Sequence, residues 1–128
     1  MQCLISIAMK NLICLLTLLG VFACTQAGPY KRLNPEQFEQ AISEGQVQLV
    51  DVRTIQEFGK GHIESALNVD YLQKSTFREK IGYLDRNKPV YLYCNRGPRS
   101  IRSARILEDM GFTEIYDLQG GYQAWLNR

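Results

Sequence analysis

The 128-residue chain contains a single histidine, and no stretch of one charge sign grows into a tail. The lone histidine, His62 in Gly61-His62-Ile63, has no cluster of metal-ligand residues beside it. A metal site therefore has no spelling here, and His62 reads as structural rather than as half of a catalytic pair. The net charge of +2 is too small to argue for nucleic acid as a partner. There are no repeats, no low-complexity tract and no internal linker, and the length suits one domain. An intramolecular disulfide framework is not expected in the mature domain. Cys3, Cys14 and Cys24 all lie near the N-terminus, leaving Cys94 as the one thiol of the remaining chain.

One long apolar run stands out against this background. Residues 12–23, LICLLTLLGVFA, follow Lys10 and are interrupted only by Thr17 and Gly20. About a dozen such residues is too short for a bilayer span, which takes roughly 20, but suits the core of an export signal. No polar face crosses the run, which excludes a half-buried helix, and an export signal is preferred to an uncleaved anchor. The ending Val21-Phe22-Ala23-Cys24 resembles the lipobox of bacterial lipoproteins. The resemblance implies a signal peptide over 1–23, cleavage before Cys24 and lipid attachment at Cys24. Residues 24–29 then form a short tether and 30–128 the folded domain. Translation from Met1 or from Met9 would leave the signal intact. Thr25, directly after the lipobox cysteine, carries no acidic retention signal, so the expected location is the cell envelope, facing the periplasm, with the outer membrane favoured over the inner.

From Tyr30 the pattern alternates between helix and strand. Asn34-Pro35-Glu36-Gln37 supplies a cap, a first-position proline and a glutamine three residues after the cap. Phe38, Ala41 and Ile42 form an apolar stripe that Gly45 ends. Residues 48–52 read as a strand and Ile55 to Phe58 as a brief helix. Residues 66–69 read as a second strand, and 72–84 as a helix on Leu72, Phe77, Ile81 and Leu84. Val90 to Tyr93 is a buried strand, Ser100 to Met110 a helix closed by Gly111, and 114–118 the last strand. A final helix follows Gly120-Gly121. This order predicts an α/β fold with a central, mostly parallel sheet and helices on both faces.

In such sheets ligands gather beyond the carboxyl ends of strands, and Cys94 lies at one. The segment Cys94-Asn95-Arg96-Gly97-Pro98-Arg99 joins a strand to a helix N-terminus. Successive amides in a tight turn form an anion-binding nest, and the helix end adds partial positive charge. Gly97 permits a turn closed to other residues, whereas Pro98 withholds one N–H. A thiol at the centre of that nest is favoured as thiolate. Arg102 and Arg105 lie early in the helix and Glu108 and Asp109 late, against the helix dipole. Arg105 is expected to pair with Glu108 and Asp109 along the helix. Arg102 has no acid three or four positions on, so it reads as drawing an anion toward Cys94.

Three motifs give the chain a resemblance to the rhodanese family of single-domain sulfurtransferases, over the domain from Tyr30 onward. They are Leu49-Val50-Asp51-Val52-Arg53 with Glu57-Phe58 and residues 61–69, then Tyr93 to Ser100, then Leu118-Gln119-Gly120-Gly121-Tyr122-Gln123-Ala124-Trp125. The resemblance implies that Cys94 is the nucleophile that becomes a persulfide. It implies that Asn95, Arg96, Gly97, Arg99 and Ser100 bind the donor: the loop amides cradle the sulfur, Arg96 meets a sulfonate group, Arg99 closes the loop, and Ser100 begins and caps the helix. Asp51 and Arg53 support the loops, with Glu57 as a partner in that ion pair. The implied activity carries sulfane sulfur from a small anionic donor such as thiosulfate to cyanide or a thiol, with no cofactor and no metal, in a monomer. A partner protein could serve as acceptor.

Two alternatives remain at this point. Phosphatases of the same fold carry one more residue between cysteine and arginine, and the four residues between Cys94 and Arg99 give the shorter spacing of sulfur transfer. A membrane-tethered persulfide relay or binding module would keep the same Cys94.

Overall fold

The computed structural model describes residues 28–128. The signal-peptide reading, with the lipid-carrying Cys24, falls outside the described residues. Among those described, no helix is long and apolar enough to cross a membrane.

Five strands and five helices alternate: β1 (Tyr30–Leu33), α1 (Pro35–Ser43), β2 (Gln48–Asp51), α2 (Ile55–Gly59), β3 (Leu67–Asn68), α3 (Lys74–Ile81), β4 (Val90–Tyr93), α4 (Pro98–Asp109), β5 (Ile115–Leu118) and α5 (Gly121–Leu126). The strands form one sheet in the order β1-β5-β4-β2-β3, and every described pairing is parallel. Parallel strands need crossovers, and the helices supply them while covering the two faces. Alternation along β4 shows how. Val90, Leu92 and Cys94 join a core with Phe77, Ile81, Ala104 and Leu107 from α3 and α4. Tyr91 and Tyr93 face the other way, into a core with Phe38 of α1, against which Trp125 and Tyr122 of α5 pack. Burying β4 on both sides of the sheet fixes the strand that ends at Cys94.

Local signals place the helices. Asn34 Oδ1 accepts the Gln37 amide at 2.9 Å and Gln37 Oε1 accepts the Asn34 amide at 3.1 Å, the reciprocal cap that the sequence predicts. A second such cap, Thr54 with Glu57, starts α2.

Three expectations change. The segment Tyr30–Leu33, to which the sequence reading gave no element, is the edge strand β1, paired with β5 from Tyr30↔Ile115 to Leu33↔Leu118. Its two central residues are charged and exposed, which suits an edge strand and hides the alternation that marks an interior one. Helix α4 begins at Pro98 rather than Ser100, with Gly97 as its N-cap. Proline fits a first helical turn, where its missing N–H has no partner to lose. Arg105, finally, forms no ion pair with Glu108 or Asp109 among the described residues. All three are exposed, where such a pair gains only about 0.3–0.5 kcal/mol.

Candidate active site

The loop from Cys94 to Arg99 leaves the carboxyl end of β4, the middle strand of the sheet, and turns directly into α4. Its geometry turns on Gly97, whose φ of 125° lies in a region that residues with a Cβ rarely occupy. In that conformation the Gly97 amide donates to Cys94 Sγ at 3.0 Å. Ser100 is not the helix cap. It is the third residue of α4, and its hydroxyl donates to the Gly97 carbonyl at 3.0 Å, fixing the turn from inside the helix. Cys94 itself is 1% exposed, so a reactant meets the sulfur at the floor of the loop.

Helix α5 holds the loop from behind. The first amides of a helix have no intrahelical acceptor. Here the Tyr122 amide donates to the Cys94 carbonyl at 2.8 Å and the Gln123 amide to the Asn95 carbonyl at 3.1 Å. Gln123 Nε2 adds a bond to Asn95 Oδ1 at 3.0 Å. In a trans peptide the N–H points opposite to the C=O. Tying these two carbonyls to α5 therefore turns the Asn95 and Arg96 amides away from it. Gly121, with φ of 64°, makes the contact possible: a Cβ there would lie 2.6 Å from the Asn95 carbonyl carbon and oxygen. The sequence reading included Gly121 in a motif but gave no role to it, to Tyr122 or to Gln123.

Two flanks border the loop. On the β2 side, Arg99 makes a two-pronged ion pair with Glu57, Nη1 to Oε2 at 2.7 Å and Nη2 to Oε1 at 2.8 Å. Those bonds, with the Thr54 amide and hydroxyl, outweigh burial and hold the Glu57 carboxyl down to about 2. Asp51 and Arg53 form a separate, buried pair: both Asp51 oxygens accept from Arg53, with the shortest contact 2.7 Å. Arg53 also donates to the Gly61 carbonyl at 2.7 Å and lies 4.2 Å from the Tyr122 ring centre. Glu57 thus pairs with Arg99 and not with Arg53, because Asp51 already occupies the Arg53 fork. Beneath them the Tyr93 hydroxyl accepts the Ile63 amide at 3.0 Å, and burial pushes its phenol above the usual range.

On the β5 and β1 side, buried Asp117 accepts the Tyr30 hydroxyl at 3.0 Å and Arg32 Nε at 3.3 Å, both on Oδ2. Burial raises the Asp117 carboxyl above its ordinary value. Arg32 reaches the loop, its Nη2 lying 3.5 Å from where a Gly97 Cβ would stand. Neither residue is singled out by the sequence: Arg32 lies in β1, which shows no strand pattern, and Asp117 sits within the strand expected at 114–118 without a visible partner.

The structure thus gathers Cys94, Asn95, Gly97, Arg99 and Ser100 into one turn, while the Asp51–Arg53 pair reaches the Gly61 carbonyl and the Tyr122 ring. Arg96 and Arg102 are exposed. His62 stacks on Phe58 with 3.7 Å between ring centres, and its Nδ1 lies 2.9 Å from the Phe58 carbonyl. A cleft of about 340 Å³ opens beside the loop, walled by Lys60, Asn95, Tyr122 and Gln123 among others. Chemically this is a thiol at the base of an amide-lined turn.

Known proteins resemble this chain in sequence and fold. A family model described as a rhodanese-like domain matches residues 34–128. Thiosulfate sulfurtransferase GlpE of Shewanella oneidensis is 34% identical over 96 residues, which cover 75% of this chain and 92% of that protein. An uncharacterised Bacillus subtilis protein, YqhL, is 40% identical over 95 residues, or 74% of this chain and 71% of its own length. The crystal structure of a rhodanese-related protein from Thermoplasma volcanium matches with a TM-score of 0.67 at 30% identity, covering 77% of this chain and 92% of that one. With that match spanning α1 to α5 and the whole cysteine loop, the chain belongs to the rhodanese-like domain family.

Proposed function

We propose that this protein is a sulfurtransferase that carries sulfane sulfur on Cys94. The observation that carries the reading is the 3.0 Å bond from the Gly97 amide to Cys94 Sγ. That amide meets the reacting sulfur itself, and the short spacing of four residues between Cys94 and Arg99 supports sulfur transfer over phosphoryl transfer. In the first step the Cys94 thiolate attacks the outer sulfur of thiosulfate. The S–S bond of the donor breaks, its electron pair leaves with sulfite, and Cys94 becomes a persulfide anion. In the second step cyanide or a thiolate attacks the terminal sulfur, the new S–S bond breaks, and the Cys94 thiolate returns as thiocyanate or an acceptor persulfide departs. Charge balances in both steps, and no cofactor enters. The covalent intermediate splits one transfer into two, and the Gly97 amide donates to the sulfur that carries it.

The same Cys94 also serves a second reading, in which the domain is a relay that hands sulfur to a partner protein. Intact mass before and after thiosulfate separates the two from an inert loop. A gain of one sulfur that Cys94→Ser abolishes is expected. Saturable sulfite release with a small acceptor identifies the enzyme, whereas loading without such turnover identifies the relay. Phosphoester hydrolysis with no persulfide would overturn both.

The proposal extends to location: a lipid on Cys24 holds the domain at the cell envelope, facing the periplasm, at the outer membrane. Labelling cells with a clickable fatty acid tests this. Label lost in Cys24→Ala supports it, and an unlabelled wild-type protein overturns it.

A further inference from the structure

We propose that Arg32 is a second anion-recognition residue of the Cys94 loop and contacts the sulfonate end of a thiosulfate or thiosulfonate donor. The choice of a sulfonate rests on the sulfurtransferase reading above; the cationic site itself rests on geometry alone.

The geometry is unusual within this molecule. Arg53 and Arg99 each close on a carboxylate with two nitrogens, at distances down to 2.7 Å. Arg32 does not. It touches Asp117 with Nε alone, at 3.3 Å, and on an oxygen already taken by Tyr30. The other Asp117 oxygen, Oδ1, is buried and takes no bond from Arg32; the Ser100 hydroxyl, which donates to the Gly97 carbonyl, is the carboxyl's other polar neighbour. An Arg whose task was to neutralise Asp117 would present its fork to both oxygens, the stronger two-nitrogen arrangement. Instead the guanidinium is turned so that its outer edge faces Gly97, whose amide holds Cys94 Sγ. Among the described residues neither Nη of Arg32 has a hydrogen-bond partner, and the side chain is 40% exposed. Asp117 thus acts as a fixed hinge for the inner nitrogen, and the outer pair remains available at the rim of the loop. Two parallel N–H donors in a plane match two oxygens of a sulfonate as they match a carboxylate. Arg99, by contrast, has both outer nitrogens committed to Glu57.

Thiosulfate titrated calorimetrically into the Cys94→Ala protein, with and without Arg32→Gln, tests the site apart from the chemistry. The expected loss of affinity is about ten-fold or more, the range of a charge-assisted contact. Lys31→Gln on the neighbouring, exposed position removes the same charge from β1 and is expected to leave affinity unchanged; an equal loss there would reduce the effect to overall field and overturn the contact. In turnover, Arg32→Gln should lower kcat/KM for thiosulfate by a similar factor while kcat/KM for a neutral dithiol acceptor holds. A parallel fall in both would mark a structural role and overturn the inference. The two readings fail separately. If Cys94 is loaded by thiosulfate and Arg32→Gln changes neither affinity nor kcat/KM, the Arg32 assignment falls and sulfur transfer stands. If Cys94 takes sulfur from no donor, yet thiosulfate binding still depends on Arg32, the anion site stands and sulfur transfer falls.

Discussion

The two flanks of the Cys94 loop use the same chemistry, an arginine against a carboxylate, and reach opposite ends. On the β2 flank the Arg99 fork is closed on Glu57, itself fastened by Thr54, so charge, hydrogen bonds and helix cap reinforce one another. On the β5 flank Arg32 is pinned by one nitrogen and Asp117 keeps an oxygen that takes no bond from Arg32. A paired and fully bonded group gives stiffness, whereas a buried group left partly unmet persists only where surrounding packing holds it. The loop therefore has a rigid wall on one side and an open, cationic one on the other. Its back is a third support, the amides of α5.

The strongest way to break the contrast is to remove a buried carboxylate from the rigid wall. Asp51→Ala leaves Arg53, 3% exposed, without its partner. We expect a loss of about 3–5 kcal/mol, read from the urea midpoint; a change under about 1 kcal/mol would mean that the pair adds nothing to the wall. Next comes the back support. Gly121→Ala forces a Cβ to within 2.6 Å of the Asn95 carbonyl at a left-handed φ of 64°. Displacing the loop by about 1 Å should cost on the order of 10²-fold in kcat/KM, with a smaller loss of stability; retained activity would show that α5 does not set the loop. Both flanks should suffer together, since the loop moves relative to each.

Smaller and more diagnostic effects come from pH. The Glu57 carboxyl is held to about 2 in the fold against an ordinary 4.5. Its contribution is complete above 4.5 and is lost as pH falls toward 2. With Glu57 about one-third exposed, solvent screening limits that contribution to about 1–2 kcal/mol. Glu57→Gln should lower Tm at neutral pH by several degrees, with the difference from wild type shrinking in acid. A constant difference across pH would refute the ion pair as its cause. Asp117 should behave in the reverse sense. Its carboxyl is raised by burial, so its stabilising share is complete below 3.8 and is lost as pH rises through the folded value. Asp117→Asn should therefore gain on wild type as pH rises, by a small margin, in the same melting series. If both variants shift in one direction with pH, the contrast between the flanks is wrong.

Much of this was legible in the sequence. Asn34 and Gln37 announced α1, the apolar runs at 48–52 and 90–93 announced two central strands, and Cys94 with Gly97 and Arg99 announced the loop. Each depends on residues within a few positions of one another, where caps and periodicity operate. The misassigned cap at Ser100 could have been corrected from Pro98, whose preference for a first helical turn points to Gly97 as the cap. Glu57, expected with Asp51 and Arg53, pairs with Arg99 instead, because Asp51 fills the Arg53 fork and Arg99 lies 42 residues away in sequence. Tyr30–Leu33 gave no strand pattern, and with it Arg32 went unread.

The sequence alone determined the alternation of helix and strand, the solitary thiol beyond the N-terminal segment and the spacing of its loop, because these are set by local backbone preferences and by counting. Which arginine closes its fork on a carboxylate and which keeps its outer nitrogens beside Gly97 was decided only by the folded chain. Those partners lie 42 residues apart for Arg99 and 85 for Arg32, and the direction in which a guanidinium presents its nitrogens is fixed by how strands meet in the sheet.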